Sequence, residues 1–128
     1  MPYSFYNNFF ITTNPNGVRW YKVFSGEFNG FHGMLIESYR HKRNSKVNSR
    51  RKILMQLDNI NATYIVLDGD DANLIGYVVS GSVIDIYLKS STDENNEHVI
   101  SNIYSSAINN VKNPQTQYEQ EPSGITYL

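Results

Sequence analysis

Cysteine is absent from the 128 residues. That excludes disulfides, zinc–thiolate sites and thiol nucleophiles. No apolar run approaches the ~20 residues a membrane span needs, so no membrane partner is expected. The opening stretch MPYSFYNNFFITTNPNG lacks a basic segment followed by a continuous apolar one. This argues against a secretory signal and for an intracellular location, cytoplasmic or organellar. The Asn61–Ala62–Thr63 sequon then carries no sugar. Charge is scarce: 11 Lys and Arg stand against 12 Asp and Glu, a net charge of −1, so the protein as a whole is no polycation. Histidine is scarce too. His32, His41 and His98 are far apart, and none has a metal ligand at i+3 or i+4. The run DGDDAN at Asp68–Asn73 has no Glu at the twelfth position of a calcium loop and reads as a turn. Nucleophile elbows, phosphate loops and dinucleotide fingerprints are missing. The expectation is a non-enzymatic protein with no catalytic residue, metal site or cofactor.

What is present is β-forming. At this length the chain reads as one compact unit able to bury roughly two-thirds of its unfolded surface. The runs VRWYKVF, GMLIESY, KILMQL, TYIVLD and NLIGYVV are rich in β-branched and aromatic residues, and turn-forming residues separate them. A sixth run, SVIDIYLKS, alternates. Ile84, Ile86 and Leu88 share one face, and Val83, Asp85, Tyr87 and Lys89 share the other. The VSGS before it predicts a hairpin turn. Over Asn96–Val111, Val99, Ile100, Ile103, Tyr104, Ala107, Ile108 and Val111 fall at helical spacing and predict an amphipathic helix. The organisation expected is an N-terminal arm (1–17), a barrel (18–79), a strand-and-helix appendix (80–112) and a polar tail (113–128) that is extended or disordered.

Short strands at this spacing favour a small barrel over βαβ units. Gly26 and Gly33 bracket a tight connection, where glycine permits positive φ, and Phe28 and Phe31 alternate with them. An ordinary glycine-rich turn of any β-fold is the alternative. The stretch KVFSGEFNGFHGMLIE resembles the KOW motif of the elongation factor NusG, its eukaryotic relatives and several large-subunit ribosomal proteins. Val23, Gly26, Phe28, Phe31, Gly33 and Leu35 take the places of the motif. KILMQLDNINATYIVLDGDDANLI is similar to the later strands of that family. The resemblance covers Val18–Ile75 and implies a five-stranded SH3-like barrel. The fold class expected is therefore mainly β: an SH3-like, KOW-type barrel with an added strand and one C-terminal amphipathic helix. Val23, Phe28, Leu35, Ile53, Met55, Ile65 and Leu67 are expected inside the barrel.

Seven of the eleven cations, Arg40, Lys42, Arg43, Lys46, Arg50, Arg51 and Lys52, lie within thirteen residues. Such a loop creates a local positive potential that attracts polyanions. Tyr39 at its base and His41 within it offer rings for stacking on a base. In ribosomal KOW proteins such loops often contact RNA, which is what the resemblance implies here. Tyr39, Arg40, Lys42, Arg43, Lys46, Arg50, Arg51 and Lys52 are the candidate nucleic-acid-binding residues. Docking on an acidic protein patch, and a solvated, flexible loop with no binding role, are the other readings.

Two functions follow. One is an RNA-binding KOW-type protein of a ribosome or transcription complex, its partner RNA or another polyanion. The other is a structural or assembly subunit of a virus or phage particle, located in the virion, whose partners are protein subunits of a larger assembly. In the second, Tyr3, Phe5, Tyr6, Phe9 and Phe10 anchor the N-terminal arm on neighbours.

Overall fold

The computed structural model describes residues 4–13, 18–42, 48–58, 61–69, 71–90, 97–105, 109–112, 114 and 116–128. Its elements are all strands: β1 (Ser4–Thr13), β2 (Trp20–Glu27), β3 (Phe31–Lys42), β4 (Asn48–Asp58), β5 (Asn61–Asp68), β6 (Ile75–Ser80), β7 (Val83–Lys89), β8 (Glu97–Ser105), β9 (Asn109–Lys112), β10 (Thr116–Tyr118) and β11 (Thr126–Tyr127). Each of the six runs read as strands from sequence is a strand. No helix of the described residues is long and apolar enough to cross a membrane.

The strands form two antiparallel sheets rather than a closed barrel. The first has the order β1-β8-β3-β4-β5. The second has the order β10-β2-β7-β6-β11, with β9 also on β2. Two glycines at positive φ sit in the connections where the chain changes sheet. Gly30 (φ 80°) lies between β2 and β3, and Gly69 (φ 95°) lies between β5 and β6. A barrel needs β2 to pair with β3. Here the 28–30 corner carries the chain across to the other layer, and β2 pairs with β7 instead. Gly33 lies inside β3 and is not among the positive-φ glycines, so the tight connection expected there is at Gly30.

One core fills the space between the layers. Val23, Phe24, Phe28, Ile75, Ile84, Ile86 and Leu88 meet Met34, Ile36, Ile53, Met55, Leu57 and Ile103. The predicted face of β7 is the buried one: Ile84, Ile86 and Leu88 are inside. Val23 and Phe24 are consecutive yet both fully buried, which simple alternation forbids. The β2–β7 register shifts between Lys22 and Phe24; this bulge inserts Val23 and restores the inward phase for Phe24. Of the expected interior, Val23, Phe28, Ile53 and Met55 are buried. Leu35 is only half-buried, while Ile65 and Leu67 are exposed. In an open sandwich these three lie on the outer face of the first sheet.

The expected helix over Asn96–Val111 is replaced by strands β8 and β9 in its described part. In β8 the partners are waiting on both sides: β1 pairs with one edge and β3 with the other. Val99, Ile100 and Ile103 are β-branched and lose rotamer freedom in a helix. Ser101, Ile103 and Ser105 then share one buried face at a period of two. An apolar stripe at i and i+4 fits a strand as well as a helix, and tertiary pairing decided between them.

The polar C-terminal stretch is built into the second sheet. β10 pairs with β2 and β11 with β6. Leu128 is buried in the core, and its N–H donates to the Ile75 carbonyl at 2.9 Å. Trp20 Nε1 donates to the Tyr127 hydroxyl at 3.0 Å, which in turn donates to Glu121 at 2.6 Å.

Candidate functional site: the outer face and free edge of the first sheet

Strand alternation divides the basic run in two. Arg40 to Lys42 end β3 and Asn48 to Lys52 begin β4, so most of the expected loop is a two-stranded ladder. Residues facing each other in that ladder share a face. Tyr39 lies opposite Arg50, and Glu37 opposite Lys52, all on the outer face. Arg40 and Arg51 fall on the other face and turn into the end of the sandwich. Arg40 donates to Asp71 Oδ2 at 3.0 Å and to the Lys89 carbonyl, joining the two sheets. Arg51 Nε donates to the Leu128 carbonyl and its Nη1 to the Gly69 carbonyl, both at 2.9 Å. These two arginines are internal braces.

The outward cations have partners as well. Arg50 Nε lies 2.9 Å from Asp68 and Lys52 Nζ 3.6 Å from Glu37. Both pairs are solvent-exposed enough to exchange partners at small cost. Lys42 is opposite Glu97 in the β3–β8 ladder. Arg43, Lys46 and Tyr3 lie outside the described residues. Phe5, Phe9 and Phe10 are in register with Tyr104, Ser101 and Ile100 of β8, and Tyr6 lies at the register shift. For these four and Lys42 only the backbone is described.

Register sets the outer face of the first sheet into zones. At one end Phe31, Asp58 and Asn61 form a row, followed by Gly33, Gln56 and Thr63. These six residues, with His32, Leu57 and Ala62, line an open cleft of about 840 Å³. Next comes an apolar row across four strands: Tyr104, Leu35, Leu54 and Ile65. Beyond it lie the Glu37–Lys52 and Tyr39–Arg50 pairs.

The apolar row runs out at β5, the last strand of the sheet. Among the described residues nothing pairs with the far side of β5, and its burial is unlike that of β2 and β7, which combine buried and half-buried residues. Tyr64, Ile65, Val66 and Leu67 are 41, 60, 40 and 50% exposed. Tyr64 and Val66 lie on the inward side, opposite Met55 and Ile53, yet β5 overhangs the second sheet and leaves them uncovered. Natural edge strands are usually short, charged or interrupted by proline. Only Asp68 at its end is charged in β5. The signal was present in TYIVLD: a continuous apolar run makes both faces apolar, so the strand is either central or a docking edge.

The groups with shifted ionisation are elsewhere, on the outer face of the second sheet. Burial alone would lower the Lys22 pKa, but Asp85 at 3.5 Å, with Tyr87 and Tyr118, more than offsets this and raises it. Burial raises the Tyr87 hydroxyl. Burial, aided by the hydrogen bond to Glu121, raises Tyr127. Lys22 Nζ lies 5.7 Å from the Tyr87 and Tyr118 ring centroids; Lys89 Nζ lies 5.7 Å from Trp20 and 5.1 Å from Tyr127. These cations hold the C-terminal stretch on the sheet. Among the described residues no group of three or more His, Asp or Glu stands together as a metal site would require.

The chain matches no protein-family model and no curated protein. Among solved structures it is similar to the tailspike protein gp49 from Acinetobacter baumannii bacteriophage Fri1, a capsular polysaccharide depolymerase. Identity is 14% and the TM-score 0.36, over 94% of this chain. The chain spans 20% of the length of that tailspike. Likeness at this level carries no argument about fold or function.

Proposed function

We propose that the protein is a non-enzymatic assembly subunit that docks on a neighbouring subunit through the free edge of β5. One observation carries this reading: an eight-residue edge strand exposing four consecutive apolar side chains. An incoming strand would satisfy the outward-pointing N–H and C=O groups of β5 and cover its apolar side chains on both faces. The neighbour that fits this edge is an extended, apolar polypeptide segment. The test is a photo-crosslinking residue placed at Ile65, with a second at Ser80 as control, in the protein expressed in its native assembly. Capture at Ile65 but not at Ser80 is expected. Absence of any protein adduct at Ile65 removes β5 as the docking strand.

The RNA reading keeps a narrower footing. Tyr39 and Arg50 face each other on the outer face, both exposed, next to the sequence that holds Lys42, Arg43 and Lys46. The resemblance of Val23–Leu35 to the KOW pattern supports it. In this reading Arg40 and Arg51 contribute less, because their guanidinium groups are engaged in internal hydrogen bonds. Replacing Arg50 and Lys52 by Ala is then expected to flatten the salt dependence of single-stranded RNA binding by about 1.4 units of log–log slope. An unchanged slope removes these residues from any RNA contact.

A further inference from the structure

We infer that the strand received by β5 is β5 of a second copy of this chain, antiparallel about a two-fold axis at Ile65. This rests on the assembly reading and names its partner. A strand that extends a sheet must keep each face continuous, so directly opposed residues must point to the same side. That permits only two-fold axes passing through a residue. About Tyr64, Leu67 meets Asn61, Val66 meets Ala62 and Ile65 meets Thr63, setting large apolar groups against small or polar ones. About Val66, the regular overlap shortens to 65–67 before the register shift at Asp68 is reached. About Ile65, residues 63–67, the stretch before the register shift at Asp68, overlap in full. Ile65 meets Ile65 on the outer face, Tyr64 meets Val66 on the inner face, and Leu67 meets the Thr63 methyl.

Charge and continuity favour the same axis. Each Asp68 lies beyond the register shift that ends the regular part of β5, so the two carboxylates stay at opposite ends of the pair, each still beside its own Arg50. The outer apolar row Tyr104–Leu35–Leu54–Ile65 then runs unbroken across both copies in one ten-stranded sheet. The arrangement is isologous and closed, so it gives a dimer and not a fibre. It also removes the pairing hazard that an apolar edge presents.

The absence of cysteine makes the register directly measurable, because any introduced thiol is the sole one. Three single variants, Ile65→Cys, Thr63→Cys and Leu67→Cys, are oxidised and run on non-reducing gels. Ile65→Cys is expected to form a covalent dimer. Thr63→Cys alone is expected to stay monomeric, since two copies of residue 63 lie about 14 Å apart at the strand rise, beyond disulfide reach. Mixing Thr63→Cys with Leu67→Cys is expected to yield the heterodimer. Sedimentation of the unmodified chain reads the dimer without any cysteine, and Ile65→Lys is expected to weaken it at least tenfold. Crosslinking of Thr63→Cys with itself, or a chain that sediments as a monomer at every concentration while Ile65→Cys fails to crosslink, overturns the inference. Photo-capture of a protein of different mass at Ile65 also overturns it while sparing the assembly reading; no capture at all defeats both.

Discussion

Arg51 Nε donates to the Leu128 carbonyl oxygen across 77 residues of sequence, at 2.9 Å. The same guanidinium binds the Gly69 carbonyl, so one side chain ties β4, the β5–β6 connection and the end of the second sheet. Both bonds are charge-assisted. Arg51→Ala is expected to cost about 2–3 kcal/mol in denaturant unfolding. Arg51→Lys is expected to recover little of it, because an ammonium has no planar fork to reach both carbonyls. Removing residues 119–128 is expected to cost more, since Leu128 is a core residue and Tyr127 caps Trp20. A truncated chain as stable as the full one would show that this stretch is not part of the core.

Arg40 and Asp71 form the other brace, with both side chains largely buried. Arg40→Met leaves the Asp71 carboxylate without its cation and is expected to cost about 3 kcal/mol. Arg40→Met combined with Asp71→Asn is expected to cost less than Arg40→Met alone. An additive double mutant would mean the pair is not coupled.

Gly69 and Gly81 both have positive φ, at 95° and 61°, but differ in what surrounds them. A Cβ on Gly69 would stand 2.0 Å from the Arg50 carbonyl oxygen, whereas one on Gly81 meets nothing within 4 Å. Gly81→Ala is expected to cost about 1 kcal/mol, the backbone strain alone. Gly69→Ala adds a backbone clash and is expected to cost at least about 3 kcal/mol. Thermal melts of the two variants side by side test the difference.

Alkaline pH is expected to destabilise the fold. Lys22, Tyr87 and Tyr127 all have pKa values raised above their ordinary 10.5, 10.0 and 10.0. The folded chain therefore binds more protons than the unfolded one above about pH 10, and stability falls as pH rises through that window. Below pH 10 these groups contribute in full. Chemical unfolding from pH 8 to 11 checks this; a flat profile would show that the lysine–tyrosine cluster does not couple to folding.

The strands were legible because their apolar periods and turn residues are local properties. Val83–Lys89 was read with its boundaries and its buried face. Partnership was not legible. β2 could as well have turned back on β3, and only the corner at Gly30 and the waiting face of β7 send it to the other sheet. The run Val99–Val111 satisfied two periods at once, and the choice lay in β1 and β3, with Ser105 opposite Ser4 at the far end of the chain. For the site, sequence grouped the cations by proximity along the chain, while the ladder separates them by parity: Tyr39, Arg50 and Lys52 outward, Arg40 and Arg51 inward. The β5 edge was hidden for a similar reason, since an apolar strand looks alike in sequence whether it is central or last in its sheet.

The order β1-β8-β3 imposes a sequence of events on synthesis. Among the described residues β1 pairs only with β8, and Ser4 is opposite Ser105. Roughly 5–20 s separate the synthesis of β1 from that of β8 at usual elongation rates, and until then β1 lacks this partner. β3 and β4 can close their hairpin early, but β3 keeps an open edge until β8 arrives and fills the gap between it and β1. Completion of the first sheet is thus a late insertion in which one strand makes two ladders at once, and the aromatic N-terminal strand stays open to chaperones or to wrong partners until then.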